Sequence, residues 1–317
     1  MVAIVQQTPA SKQLPSPRYV ERFLTWLDRA GIVRESVPYT RSRRGGEGGT
    51  VAALRLVPPT GLGLRTPVLF AHATGNDALF PQLGLFRALL AKGHPVLTFD
   101  LDGHGRESTT TLAVDGTTGM LGDARQALTG SASAPVHVVG QSLGGALALA
   151  AVATGELAPA TVRSLTLLST PLLLSPAARM LGTELLGMAR ASVRSQLRHY
   201  GPYGLLPAMG PFKRRAYPIR LADGEARAPL AYVDVVTRLV AGLDLTTLAT
   251  RVRVPTLLVY GIHDKLVPPE QGRALAGLIP DADLRLVPGG THFSTPFEPG
   301  VEGAITGHVA AAEEQGA

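Results

Sequence analysis

The chain of 317 residues contains no cysteine at all. That excludes a disulfide framework, a thiolate metal site and a cysteine nucleophile. Long hydrophobic runs are also missing. The longest, Leu143 to Ala153, is interrupted by two glycines and falls well short of the roughly 20 residues that a membrane span needs. Stable membrane insertion is therefore not expected. The opening stretch "MVAIVQQTPASKQ" lacks a basic start and a sufficient apolar core for a signal peptide, which points to a cytoplasmic protein. Acidic residues are in the minority, 24 against 30 basic ones, and all but four of the basic residues are arginine. These charges are scattered rather than striped, and no aromatic-interleaved basic segment accompanies them, so no nucleic-acid partner is expected. No cluster of metal ligands and no dinucleotide fingerprint occurs, so neither a metal nor an organic cofactor is expected.

What the chain does have is a 45% hydrophobic content, enough for a large core, arranged in a recognisable order. Ser16-Pro17 opens an amphipathic helix carrying Val20, Phe23, Leu24 and Leu27 on one face. That face could cover the domain or a second copy of the chain, which leaves a homodimer open. "VRESVPYTRS" and "TVAALRLVPP" read as strands joined by the glycine-rich hairpin "RRGGEGGT". Six short apolar runs follow: "TPVLFAHATG", "HPVLTFDLDGHG", "APVHVVGQS", "VRSLTLLST", "VPTLLVYGIHD" and "ADLRLVPGGTH". Runs apolar on both faces are how strands of a covered parallel sheet read. Helical stretches at Leu83–Lys92, Met120–Thr129, Leu143–Thr154 and Pro269–Leu278 lie between most of them. The alternation predicts an α/β fold with a mostly parallel sheet of about eight strands flanked by helices. Between Pro171 and Leu248 the rhythm breaks into helical pieces, which predicts a helical cap inserted after the sixth strand. The expected division is an arm and helix over 1–32, a core over 33–170 and 249–317, and a cap over 171–248.

One short stretch carries the chemistry. Gly140-Gln141-Ser142-Leu143-Gly144 has the form G-x-S-x-G between a strand and a helix, where a strained turn lifts a serine Oγ above the sheet edge. A serine hydroxyl needs a base within hydrogen-bond reach. His292 in "PGGTHFS", just past the last strand, can reach over that edge. The base in turn needs a carboxylate to fix its tautomer. Asp264, directly after the penultimate strand, is so placed, whereas Asp281 and Asp283 lie at the wrong end of theirs and Asp244 reads as a helix cap. An oxyanion hole would use the backbone N–H of Leu143 and one from the loop after "VLFAHATG", either Thr74 or Ala73. His72 and His104, at strand ends on the same edge, and Gln141 beside the serine read as supporting residues that hold loops.

Taken in order, "HATG", "FDLDGHGRES", "GQSLGG", "GIHDKLVPP" and "GGTHF" resemble the α/β-hydrolase superfamily over about residues 33–308, and in particular its capped lipase, esterase and thioesterase branch. One departure is Ala73, where the oxyanion loop commonly has glycine after its histidine. The resemblance implies a cofactor-free serine hydrolase acting on a small-molecule ester or thioester, with carbon–carbon bond hydrolysis by the same triad, or a non-catalytic binding role, as alternatives. Apolar cap segments such as "YGLLPAMGPF" suit either an acyl channel or ordinary helix packing.

Overall fold

The computed structural model describes residues 18–41, 48–78, 82–105, 107–114, 119–174 and 229–315. Ten strands are described: β1 (Val33–Ser36), β2 (Tyr39–Thr40), β3 (Thr50–Val51), β4 (Ala53–Val57), β5 (Val68–Ala71), β6 (Val96–Phe99), β7 (Val136–Gln141), β8 (Val162–Leu168), β9 (Thr256–Gly261) and β10 (Asp283–Val287). The α-helices are α1 (Arg18–Arg29), α2 (Leu83–Ala91), α3 (Met120–Thr129), α4 (Leu143–Thr154), α5 (Pro229–Gly242), α6 (Leu245–Ala249), α7 (Pro269–Leu278) and α8 (Val301–Gln315).

Eight strands form one sheet in the order β1-β4-β6-β5-β7-β8-β9-β10. The first two pairings, β1 with β4 and β4 with β6, are antiparallel; every later one is parallel. Each of the first two expected strands is split. Pro38 interrupts the first, and at Ala52 the backbone N–H turns to Ser108 Oγ instead of a neighbouring strand. The pieces β2 and β3 then pair with each other as a separate two-stranded ribbon.

Alternation along the central strands sends side chains to two apolar layers. Val68, Phe70, Val139, Leu168, Leu257 and Val259 face α1, α2 and α8, while Leu69, Ala71, Val138, Leu167, Leu258 and Tyr260 face α3 to α7. Each fully buried leucine or valine contributes on the order of 1.5–3 kcal/mol, so the two layers together fix the register of every strand. Phe23 and Leu27 of α1 are buried against Phe86 and its neighbours in the first layer, with the Arg87 guanidinium over the Trp26 ring at 5.2 Å. Phe23 and Leu27 of the apolar face of this helix are thus covered within the chain. The middle of the expected cap, 175–228, lies outside the described residues. Residues 229–242 form α5, and its Tyr232, Val236, Leu239 and Val240 join the same apolar layer as α4.

The loops after β5, β6, β7, β8 and β9 leave the parallel part of the sheet at its C-terminal edge, where ligands bind in open α/β folds.

Candidate active site

Ser142 stands between β7 and α4 with φ 51° and ψ −115°, a positive φ that a non-glycine residue rarely adopts. Two glycines make room for this turn. A Cβ on Gly144 would overlap the Ala71 carbonyl oxygen, and one on Gly140 would lie 2.6 Å from that of Gly144. The Ser142 N–H donates to Leu168 O at 2.8 Å, which ties the turn to β8. Its side chain makes no helix-capping bond. Instead Oγ lies 3.0 Å from His292 Nε2.

His292 Nδ1 lies 2.9 Å from Asp264 Oδ2. The carboxylate can only accept, so Nδ1 carries the proton and Nε2 is left to accept from the Ser142 hydroxyl. The other oxygen of Asp264, Oδ1, accepts the N–H groups of Leu266 (3.0 Å) and Val267 (2.7 Å), which fixes the carboxylate plane. All three side chains are buried. The His292 loop is stiffened locally, with Thr295 Oγ1 donating to Thr291 O at 2.7 Å and the Thr291 N–H donating to Ser294 Oγ at 2.9 Å. The three residues that the sequence singled out come together as one hydrogen-bonded chain.

The neighbouring loops are held from behind. The Gly144 N–H donates to His72 O at 3.1 Å, joining the start of α4 to the loop after β5. The His72 ring spans the same loop and the next: Nδ1 donates to Ala73 O at 2.9 Å, and Nε2 accepts the Leu101 N–H at 3.0 Å. Burial lowers the pKa of His72 to about 4. With Nε2 already accepting, the ring is neutral. His104 is held alike: Nδ1 donates to Asp102 O at 2.9 Å, and Nε2 faces the Tyr232 hydroxyl at 2.6 Å. Burial first, and His72 second, lower its pKa to about 3. Gln141 accepts from Gln82 Nε2 at 2.8 Å, so the residue before the serine is anchored to the start of α2.

Beneath these loops Asp100 accepts from the Ala78 N–H and from Ser108 Oγ, both at 2.9 Å. Burial, then the nearby Asp77, raise its pKa to about 7. Asp102 is paired through Oδ2 with the buried Arg41 Nε at 3.1 Å. Both aspartates organise loops. Asp244 caps α6 as the sequence suggested, accepting from the Thr247 N–H at 3.4 Å.

Sequence reasoning missed Tyr232, Gln82 and Arg41. Each lies far along the chain from the group it touches and carries no motif. The one available signal was the spacing of Tyr232 and Val236, which puts both on the buried side of α5. Among the described residues no group of three or more His, Asp or Glu side chains could hold a metal ion. Nor is any helix among them long and apolar enough to cross a membrane.

A sheet of this order, with a strained serine turn at its carboxyl edge, defines a class. The chain belongs to the alpha/beta hydrolase fold family, whose model matches residues 66–299, and it is a hydrolase. Among individual proteins it is similar to one bearing the name carbamate hydrolase RutD from Variovorax paradoxus, 31% identical over 244 residues, covering 74% of this chain and 87% of that one. A protein of the same name from Azorhizobium caulinodans is 28% identical over 263 residues, covering 75% and 89%. Solved structures share the fold at lower identity. A hydrolase from Pseudomonas aeruginosa superposes with TM-score 0.58 at 21% identity over 86% of this chain and 98% of its own. An esterase from Thermogutta terrifontis gives 0.54 at 20% identity over 87% and 99%.

Proposed function

We propose that the protein is a serine hydrolase that cleaves carboxylic esters of moderately hydrophobic acids through an acyl-enzyme. The observation that carries this reading is the unbroken chain Ser142 Oγ, His292, Asp264 on a turn with positive φ. In the first half-reaction His292 Nε2 takes the Ser142 proton as Oγ bonds to the carbonyl carbon. The resulting oxyanion re-forms the carbonyl as the alkoxide departs, protonated by His292. In the second half water replaces the alcohol: His292 takes its proton, the hydroxide attacks the acyl carbon, and Ser142 leaves with that proton restored. Asp264 holds the imidazolium formed in each half without itself taking a proton.

Two N–H groups are proposed for the oxyanion. Leu143, first residue of α4, has no acceptor within its own helix. For the second donor, peptide planarity favours one of the two candidates, because C=O and N–H of one trans peptide point in opposite directions. The His72 carbonyl points at the Gly144 N–H, so the N–H of Ala73 points away from the start of α4. The Ala73 carbonyl is held by His72 Nδ1 and by the Asn76 N–H at 3.1 Å, which turns the Thr74 N–H the other way, out of that polar contact. These orientations support Thr74 as the second donor.

A carbamate carbonyl is open to the same attack, and the shared name of the two RutD relatives supports it as a second substrate class. Hydrolysis of p-nitrophenyl esters from acetyl to palmitoyl, beside a p-nitrophenyl carbamate, tests the proposal with Ser142→Ala as control. An ester optimum that vanishes in the variant is the expected result. Ser142-dependent turnover of the carbamate alone would shift the substrate class, and no Ser142-dependent turnover would overturn the hydrolytic reading of this site.

A further inference from the structure

We infer that Tyr232 is a positioning residue for the oxyanion loop, acting through His104 and His72; the inference rests on the serine-hydrolase reading above. The path is short and every link is defined. Tyr232 lies in the first turn of α5, on the chain returning from the insertion after β8. Because His104 Nδ1 is committed to Asp102 O, its Nε2 has no proton to give, and the Tyr232 hydroxyl must be the donor at 2.6 Å. The His104 ring, fully buried, then stands edge-on to the His72 ring with centroids 5.1 Å apart. His72 in turn grips Ala73 O, and the peptide containing that carbonyl carries the Thr74 N–H on its opposite side.

A ring tilt at His104 therefore reaches the proposed oxyanion donor through one packed contact and one hydrogen bond. Both rings sit in a close-packed interior, which passes on small displacements instead of absorbing them. An oxyanion donor works only if it is aimed at the place where charge develops, so a shift of a few tenths of an ångström weakens the transition state more than the bound substrate. The Leu101 N–H on His72 Nε2 closes the circuit, since Leu101 belongs to the same loop as His104. Tyr232 touches no reacting atom in this scheme. Its hydroxyl sets a ring, and the ring sets a peptide plane.

The test compares wild type with Tyr232→Phe, which removes only the hydroxyl. The expected result is a fall in kcat of roughly 10-fold with KM little changed. An alkyl trifluoromethyl ketone, which forms a tetrahedral oxyanion on Ser142, should lose affinity by the same factor as kcat/KM. A long-chain alcohol, which carries no negative oxygen, should bind as before. A purely structural tyrosine would lower the unfolding midpoint without that split. Unchanged kcat and ketone affinity, or equal losses for ketone and alcohol, overturn the inference while leaving the hydrolase reading intact. Absence of Ser142-dependent turnover in the wild type overturns the hydrolase reading instead. Should the variant not fold, ¹⁵N-histidine spectra of the wild type decide. His104 protonated on Nδ1 with Nε2 as acceptor is expected, and the opposite tautomer refutes the path.

Discussion

The molecule contains the sequence serine, histidine, carboxylate twice, at opposite edges of one sheet. At the C-terminal edge Ser142, His292 and Asp264 are joined at 3.0 and 2.9 Å. At the N-terminal edge Ser164 Oγ lies 2.9 Å from His137 Nδ1, and His137 Nε2 lies 3.0 Å from Glu313 Oε2. By distance alone the two sets are equivalent. They differ in backbone. Ser142 sits on a strained turn at the head of a helix, whereas Ser164 pairs with His137 within β7 and β8, just past a register shift between Val136 and His137. Ser164 lies inside a strand and is fully buried. Glu313 is also held by the Thr66 N–H and hydroxyl at 3.1 and 3.0 Å, so this second set latches α8 to the foot of the sheet. Three side chains in line are a catalytic device only where the backbone supplies a strained nucleophile and a place for the oxyanion.

This contrast can be broken from either end. The largest effect is expected at the C-terminal edge, where Ser142→Ala should lower kcat by roughly 10⁴-fold or more while the protein stays folded. Esterase kinetics beside a thermal unfolding curve check both halves. At the other edge Ser164→Ala should leave kcat/KM unchanged but cost about 1–3 kcal/mol of stability, since the buried His137 Nδ1 loses its hydrogen-bond partner. Urea unfolding measures that cost, and any loss of turnover without loss of stability would contradict the latch.

Only part of this contrast could be read from the sequence. The triad, the elbow and the parallel core were legible because each lies in a local pattern: a glycine-flanked serine, an aspartate or a histidine just past an apolar run. The second set has no such mark. His137 reads as one more residue of a strand, and Glu313 stands 176 positions away from it on the last helix. The split of the second strand was missed for a similar reason. A serine 56 residues downstream of Ala52 diverts its N–H, and residue-by-residue strand propensity does not register that partner.

Acid should lower the stability of the fold. Burial holds His137 and His72 at about 4 and His104 at about 3, below the ordinary 6.5, and lowers His94 and His308 as well. Unfolding frees these rings to bind protons between their native and ordinary values, so stability falls as pH drops from about 6.5 toward 4. Asp100, raised to about 7 by burial and Asp77, and Asp123, raised by burial, work in the opposite direction, two groups against five. A lower unfolding midpoint at about pH 5 than at about pH 7.5 is the expected outcome; a flat profile would contradict neutral burial of these rings. The smallest change in stability is expected from Ser142→Gly. Relief of the positive φ should raise stability by about 1 kcal/mol while abolishing turnover, a gain for which Ser164→Gly has no counterpart.

Covalent labelling with a fluorophosphonate, mapped by peptide mass, compares the two serines in a single experiment. The expected result is one adduct, on Ser142, that disappears in His292→Ala and persists when His137 is replaced by asparagine. An adduct on Ser164, or labelling of Ser142 that survives the loss of His292, would contradict the distinction between the two edges.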